Sequence, residues 1–256
     1  MKYTLITGAS SGIGKGTAYA FAAKKKNLIL VARRIQLLEE IKKDLISHYD
    51  IDVQIMSCDL SKLEAVYQLY DKCKNFDIDI WINNAGVGLQ KNIIDHDKDE
   101  ALNILRINVE ALTLLSLLYS KDHKNQTATL INVSSTAGYG ITSRLPIYSS
   151  TKMYICAFTE ALYWELKKLG LPMRAKVMAP ASTATEFELI ASGRALDLST
   201  FKGNTSEEIG EYIYQLYESE YALGYIQEED CSFVLSDPKI PHSFNKTSHP
   251  NLLKRD

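Results

Sequence analysis

The stretch "LITGASSGIGKGTAYAFA" at residues 5–22 joins a short apolar run to an amphipathic segment through a loop that holds Gly8, Gly12 and Gly14. Glycines let a backbone turn tightly and approach a bound group closely. A helix that begins at such a loop offers unpaired N–H groups and the positive end of its dipole to an anion. The stretch therefore predicts a strand–loop–helix unit that binds the pyrophosphate of a dinucleotide.

The glycine spacing is GxxxGxG, which differs from the standard GxGxxG pattern. A glycine-rich turn that binds nothing is the alternative. The position of the loop at the first strand–helix junction argues for the cofactor, because that is where dinucleotide loops lie. We expect cofactor contacts from the whole turn, namely Gly8, Ser10, Ser11, Gly12, Ile13 and Gly14.

Short apolar runs alternate with segments of helical periodicity along the chain. Runs rich in Val, Ile and Leu on both faces are typical of parallel strands covered by helices on both sides. The repeated units predict the α/β class, with a Rossmann-like doubly wound parallel sheet and helices on both faces. The expected strands are 3–7, 27–33, 52–60, 78–86, 128–135 and 173–180, and the expected helices are 13–25, 34–48, 61–74, 98–120 and 149–169.

No repeat, low-complexity tract or proline-rich linker divides the 256 residues, which are enough for one large core. We expect a single domain over residues 1–256, with its motif-bearing core at 1–185. Residues 183–220 suggest a lid that ends in a helix at 206–219, with Ser206 as its N-cap. Residues 221–256 form a C-terminal segment, in which 231–256 show no clear periodicity.

The net charge of -2 and the scattered Lys and Arg residues give no reason to expect a nucleic-acid partner. The cysteines at 58, 73, 156 and 231 lie far apart without CxxC or histidine spacing, so we expect free thiols and no metal site. The N-terminus lacks the apolar region of a signal peptide, and no segment approaches the ~20 apolar residues of a membrane span. We expect a cytoplasmic protein that does not bind membranes.

The end of the second strand bears on the choice of cofactor. An NAD site usually carries an acid about 20 residues past the glycines, where it holds the ribose 2′-OH. Here Ala32 stands at that position, and Arg33 and Arg34 follow it. No carboxylate is available to repel a 2′-phosphate, and a guanidinium binds one through charge-assisted hydrogen bonds. The sequence therefore favours NADP(H) over NAD(H); the alternative is that both arginines merely begin a solvated helix.

Further motifs follow in a fixed order, and they are "TGASSGIG" (7–14), "CDL" (58–60), "NNAG" (83–86), Asn108 within "LRINVEA", "INVSSTAG" (131–138), "YSSTK" (148–152) and "PASTAT" (180–185). Their joint order and spacing make residues 1–185 resemble the classical short-chain dehydrogenase/reductase family. The resemblance implies an enzyme that transfers a hydride between NADP(H) and a carbonyl or secondary alcohol.

The resemblance also assigns catalytic roles. Tyr148 would be the general acid or base, and Lys152, one helical turn later, would bring a phenol of pKa ~10 toward neutral pH and hold the nicotinamide ribose. Ser135, rather than Ser134, would polarise the substrate carbonyl. Asn108 would hold a water that relays protons to the lysine. Taken singly, each has a structural explanation: a buried polar residue, a strand end, or one of 15 tyrosines packing a groove.

Cofactor contacts carry over from the family in the same way. Ala181 replaces the glycine that usually follows the family's proline, and we expect a changed pocket shape rather than lost activity. The matching positions are Asp59 and Leu60 beside the adenine, Asn84, Ala85 and Gly86 near the adenine ribose, Tyr148 and Lys152 at the nicotinamide ribose, and Pro180, Thr183 and Thr185 at the nicotinamide.

The expected pocket is mostly apolar, which favours an uncharged ketone, aldehyde or alcohol as the substrate. The candidate lining residues are Val87, Gly88, Tyr139, Ile141, Leu145, Ala181 and Phe187. The helices that begin near Lys98 and Ser149 have long apolar stretches, which in the family form a dimer interface. We expect a homodimer or homotetramer, with burial inside a monomer as the alternative.

Two other functions remain open. A non-catalytic NADP(H)-binding sensor or scaffold on the same fold is one, since a fold does not fix a function. The complete set of four catalytic residues argues against it. An epimerase or dehydratase of the extended branch of the superfamily is the other, and the chain length and glycine spacing argue against that.

Overall fold

The computed structural model describes residues 1–141, 143, 145–193 and 200–241, without the side chains of residues 188, 190 and 192. An eight-stranded sheet forms its centre, with the order β3-β2-β1-β4-β5-β6-β9-β10, and only β10 is antiparallel to its neighbour. The sheet strands are β1 (Lys2–Thr7), β2 (Asn27–Ala32), β3 (Val53–Ser57), β4 (Asp77–Asn83), β5 (Thr129–Val133), β6 (Arg174–Ala179), β9 (Leu223–Ile226) and β10 (Phe233–Ser236). Strands β7 (Thr183–Ala184) and β8 (Asn204–Thr205) pair separately.

Helices cover both faces of the sheet, which confirms the predicted Rossmann-like architecture. They are α1 (Gly12–Ala23), α2 (Ile35–His48), α3 (Leu63–Cys73), α4 (Lys98–Leu105), α5 (Leu112–His123), α6 (Pro146–Lys168), α7 (Glu186–Ser192) and α8 (Ser206–Glu218). A π-helical turn at Arg106–Ala111 joins α4 to α5, and 3₁₀ turns lie at Ile93–Asp95 and Thr136–Gly138.

The two faces of the sheet bury separate apolar clusters. On β1, Leu5 packs in the cluster that contains Trp81, whereas Ile6 packs in the cluster that contains Ile82. Consecutive side chains of a strand point to opposite faces, so each face needs its own apolar residues. This explains the unbroken apolar runs, and it leaves the strand ends as the places where polar side chains collect.

A close backbone contact holds α1, the helix that follows the glycine loop, against α8. A Cβ atom added to Gly210 would lie 2.5 Å from the carbonyl carbon of Gly16. Only glycine fits at such a crossing without displacement. Helix α8 thereby supports the helix whose N-terminus faces the expected pyrophosphate site.

The C-terminal third of the chain departs from the sequence prediction in its strands and in one helix cap. Strands β9 and β10 were not predicted, because four-residue strands are too short for a clear period. The prediction of Ser206 as the N-cap of α8 is wrong, because Thr205 is the N-cap. The Thr205 hydroxyl accepts from the Glu208 N–H at 3.1 Å, and the Glu208 carboxylate accepts from the Thr205 N–H at 2.7 Å. Residues 194–199 of the expected lid and 242–256 of the expected C-terminal segment lie outside the described residues.

The expectation that no segment is long and apolar enough to cross a membrane is also wrong. The continuous helical stretch Lys98–His123 reaches that length, and an 18-residue window within it has a mean hydropathy of 1.5. It qualifies by length and composition only. Ile107, Leu115 and Tyr119 are among its side chains that are buried within the protein.

Candidate active site

A cavity of about 730 Å³ opens at the carboxyl ends of the parallel strands. All of the predicted site residues line it except Gly14 and Asn108. They are Gly8, Ser10, Ser11, Gly12, Ile13, Arg33, Arg34, Asp59, Leu60, Asn84, Ala85, Gly86, Ser135, Tyr148, Lys152, Pro180, Thr183 and Thr185. The crevice between β1 and β4, where the strand order reverses, is where doubly wound sheets bind ligands.

The glycine loop makes one wall of the cavity. Gly8 and Gly12 adopt φ values of 69° and 53°, in the left-handed region that favours glycine. A Cβ atom on Gly8 would lie 2.9 Å from the Cα of Ala85, and one on Gly14 would lie 2.5 Å from Nδ2 of Asn84. Gly14 therefore packs the start of α1 against the β4 loop instead of facing the cavity.

Thr7, a residue that the sequence did not single out, ties the ends of β1 and β4 together. Its hydroxyl oxygen accepts from the N–H groups of Asn84 and Ala85 at 3.0 and 3.1 Å. The Asn84 side chain donates in return to the Thr7 carbonyl at 2.9 Å. A hydroxyl residue directly before the first glycine was the only available signal.

The residues that follow β2 form a polar site for an anion. Nη2 of Arg34 donates to the hydroxyls of Ser11 at 2.8 Å and Ser10 at 3.3 Å. It also pairs with the carboxylate of Glu186 at 3.0 Å. The expectation that no carboxylate is available here is therefore wrong, because Glu186 reaches the site from a helix far along the chain. Arg33 lines the cavity beside these residues.

Asp59 lies at the end of β3, on the same side of the cavity. Burial disfavours its charge, yet hydrogen bonds from Ser61 and the charge of Arg33 lower its pKa below its ordinary value. The carboxylate therefore stays ionised near the expected position of the adenine.

Helix α6 carries the central pair. Lys152 is 4% exposed, donates to the Val133 carbonyl at 3.0 Å, and lies 5.6 Å from the ring centroid of Tyr148. Burial raises the pKa of Tyr148 to about 12, although the Ser135 hydroxyl acts to lower it. Burial also lowers the pKa of Lys152 to about 8, against the effect of Cys156.

The two adjacent serines after β5 have different surroundings. The Ser134 hydroxyl donates to the Lys152 carbonyl at 2.8 Å and accepts from the Cys156 thiol at 3.1 Å. The Ser135 hydroxyl accepts from the Ala137 N–H at 3.2 Å, begins the 3₁₀ turn and faces Tyr148. Ser135 is thus the serine available to a ligand oxygen.

Asn108 is fully buried in the π-helical turn, behind the cavity wall. Its side chain accepts from the Val87 N–H at 2.9 Å and donates to the Val87 carbonyl at 2.9 Å and to Thr151 at 3.0 Å. Single π turns inside helices are frequent at functional sites. The turn lets a residue of the α4–α5 stretch hold the β4 loop against α6.

The segment after β6 closes the cavity on the side where the sequence predicts the nicotinamide. The Pro180 carbonyl accepts from the Thr136 N–H at 2.8 Å, and the Thr183 hydroxyl donates to the Ala181 carbonyl at 3.0 Å. The Thr185 hydroxyl caps α7 by accepting from the Phe187 N–H at 3.2 Å.

The apolar lining is smaller than the sequence suggested. Val87, Leu145, Ala181 and Phe187 line the cavity. Tyr139 instead donates to the buried carboxylate of Glu160, and Ile141 is 91% exposed. Lining residues that sequence reasoning missed include Lys202, Glu228 and Cys231.

These features fit a nicotinamide dinucleotide. The glycine loop leaves no room for side chains beside a helix N-terminus, the Arg34 guanidinium and two serine hydroxyls lie together at the cavity, and a buried lysine adjoins a phenol. The family model for short chain dehydrogenases matches residues 2–191. This chain belongs to the short-chain dehydrogenase family. It is therefore an oxidoreductase of alcohol or carbonyl groups that binds a nicotinamide dinucleotide.

Two relatives of this short-chain dehydrogenase have described activities. The NADP-dependent 3-hydroxy acid dehydrogenase of Schizosaccharomyces pombe is 37% identical over 200 residues, which cover 74% of each protein. A very-long-chain 3-oxoacyl-CoA reductase-like protein of Arabidopsis thaliana is 31% identical over 196 residues, covering 74% of this chain and 62% of that protein.

Solved structures show the same fold. A short-chain dehydrogenase from Sphingobium yanoikuyae in complex with NADPH has a TM-score of 0.80 at 24% identity, covering 88% of this chain and 87% of that one. Solved complexes of this fold also contain NAD. The fold alone therefore does not decide between the two dinucleotides.

Proposed function

We propose that this protein interconverts a carbonyl compound and a secondary alcohol with NADP(H) as its cofactor. The buried Lys152 beside the Tyr148 ring, at the wall of the cavity formed by the glycine loop, is the observation that carries the proposal. A structural role alone gives no reason to bury an ammonium next to a phenol, since burial of a charge is costly.

The preference for NADP(H) rests on Arg34 and its two serine neighbours. One guanidinium nitrogen and two hydroxyls within 3.3 Å of it offer several hydrogen bonds to a phosphate. The Schizosaccharomyces pombe relative is named as NADP-dependent, which supports the same choice.

The substrate class follows from the two relatives and the lining. Both relatives' names describe an oxygen at carbon 3, in a hydroxy acid for one relative and in an acyl-CoA for the other. The side chains of Val87, Leu145 and Phe187 give the described cavity an apolar wall close to Tyr148. We therefore propose a 3-oxoacyl or 3-hydroxyacyl compound, with its acyl chain against that wall.

A nicotinamide bound in this cavity would supply or accept the hydride at the substrate carbon. The hydroxyls of Ser135 and Tyr148 donate hydrogen bonds to the substrate oxygen. During reduction the Tyr148 phenol gives its proton to that oxygen, and during oxidation the phenolate takes it back. The Lys152 ammonium stabilises the phenolate and would hold the ribose of a bound nicotinamide nucleotide. Asn108 keeps the β4 loop and α6 in place through Val87 and Thr151.

A fluorescence titration of the purified protein with NADPH and NADH tests the cofactor, followed by a panel of 3-oxoacyl esters, simple ketones and aldehydes. We expect tighter binding of NADPH, and its oxidation by 3-oxoacyl esters. Binding without turnover over the whole panel would favour a non-catalytic sensor. If neither dinucleotide binds, the proposal is wrong.

We also propose that the protein self-associates through α4, α5 and α6. These helices expose large apolar side chains, namely Leu102, Leu105, Leu117, Met153 and Tyr154. Exposed apolar patches on helices commonly mark protein interfaces. Light scattering coupled to size-exclusion chromatography should give a dimer or tetramer mass, and a monomer at micromolar concentration would contradict this.

A further inference from the structure

An ion pair joins the anion site at the end of β2 to α7. Nη2 of Arg34 lies 3.0 Å from a carboxylate oxygen of Glu186, and the same nitrogen bonds to the hydroxyls of Ser10 and Ser11. Both charged side chains are about half exposed, at 48% and 52%. The carboxylate therefore occupies one side of the site that would receive a 2′-phosphate.

The local structure sets the position of Glu186. It is the first residue of α7, directly after the N-cap Thr185. The Thr185 side chain lies against the glycine loop, since a Cβ atom on Gly12 would be 3.1 Å from its Cγ2. The start of α7 is thus fixed over the glycine loop, and this placement brings Glu186 to Arg34.

The chemistry of the pair bears on both cofactors. A carboxylate and a phosphate bind a guanidinium with the same kind of charge-assisted hydrogen bond, so only one can use the same donor fully. Two anions at one site also repel each other. The ribose 2′-OH of NAD(H) is neutral, and a carboxylate is the group that accepts its hydrogen bond in NAD-binding enzymes. Ala32 supplies no such group at the end of β2.

We propose that Glu186 is a specificity-determining residue that competes with the 2′-phosphate of NADP(H) for Arg34. It thereby reduces the preference of the protein for NADP(H) over NAD(H). This inference rests on the proposed binding of a dinucleotide with its adenosine at the β2 end. Glu186 at the start of α7 would then supply the carboxylate that NAD-binding enzymes carry at the end of β2, where this chain has Ala32.

The size of the effect follows from the exposure of the pair. Exposed ion pairs contribute little to stability, so the competition with Glu186 should have a modest effect, to which removal of the like charge adds. We therefore expect E186Q to tighten NADPH binding by ~3- to 10-fold and to leave NADH binding unchanged or slightly weaker. The gain should shrink as salt is added, because salt screens exposed charges.

Calorimetric titrations with two fragments, 2′,5′-ADP and 5′-ADP, test this without any turnover. The variants are E186Q and, as a charge-matched control, E39Q, which removes an exposed carboxylate of α2. We expect E186Q to bind 2′,5′-ADP ~3- to 10-fold more tightly than the wild type and 5′-ADP no more tightly, with E39Q like the wild type for both.

Three results would overturn the inference. Unchanged or weaker binding of 2′,5′-ADP by E186Q would mean that Glu186 does not compete with a phosphate. The proposed function would still stand in that case if the wild-type protein binds NADPH. An equal gain in E39Q would show a general charge effect. A wild-type protein that binds neither NADPH nor NADH would contradict both proposals.

Discussion

The ammonium nitrogen of Lys152 lies 5.6 Å from the ring centroid of Tyr148 and donates to the Val133 carbonyl. Burial favours the uncharged form of both groups, so it raises the pKa of Tyr148 to about 12 and lowers the pKa of Lys152 to about 8. At neutral pH the phenol therefore carries its proton and most of the lysine is charged. The pair is in the state that donates a proton to a carbonyl oxygen.

The pH dependence of turnover should follow from these values. Reduction needs a protonated Tyr148 and a charged Lys152, so kcat/KM should stay level below about pH 8 and fall above it as the lysine loses its proton. Oxidation needs the phenolate beside a charged Lys152, so its rate should rise with pH up to about 8 and stay level above that. Initial rates in both directions, in overlapping buffers, measure the apparent pKa of the coupled pair. A reduction rate that rises through pH 8 would contradict the assignment.

Gly88 lies under the two aromatic rings of the site. A methyl group there would be 2.7 Å from Cδ2 of Tyr148 and 2.8 Å from Cζ of Phe187, too close for either ring to stay in place. G88A should therefore lower kcat/KM for reduction by about tenfold or more, because small misplacements of catalytic groups are costly. Steady-state kinetics and a thermal melt separate this loss from unfolding.

G140A is the matched control, since a methyl group at Gly140 meets nothing within 4 Å. The double variant G88A/F187A should recover part of the lost rate, because removal of the Phe187 ring relieves one of the two clashes. G88A kinetics that match those of the wild type would show that the Tyr148 ring position is not limiting.

Asn108 should act through its buried hydrogen bonds. N108A removes the side-chain hydrogen bonds to the half-buried N–H and carbonyl of Val87 and to the buried Thr151 hydroxyl, and each lost hydrogen bond costs about 0.5–1.5 kcal/mol. We expect the free energy of unfolding to fall by about 2–4 kcal/mol, with a lower kcat and a nearly unchanged KM. Urea denaturation and kinetics measure the two effects, with N103A on the same helical stretch as the control. A stability unchanged from the wild type would contradict the described contacts.

Much of the sheet could be predicted from the sequence, because its first six strands and their helices carry strong local periodicity. The glycine loop and the Tyr148–Lys152 pair were also found, since each is a local pattern. Strands β9 and β10, with four residues each, were missed because they hold too few residues for a period.

The contacts that shape the site could not be predicted in the same way. Glu186 meets Arg34 across 152 positions, and Asn108 meets Val87 across 21. No local pattern signals such pairs, because they depend on how the strand order brings separate loops to one edge. Both the carboxylate in the anion site and the buried position of Asn108 therefore required the folded structure.

The most direct test of the central claim compares Y148F with the wild type and with Y163F, a tyrosine farther along α6. NADPH binding, followed by fluorescence, should be nearly equal in all three. NADPH oxidation by a 3-oxoacyl ester should fall by ~100- to 10,000-fold in Y148F alone, because the proton donor is lost. Turnover by Y148F at the wild-type rate, with NADPH bound, would contradict the assignment of Tyr148 as the catalytic acid.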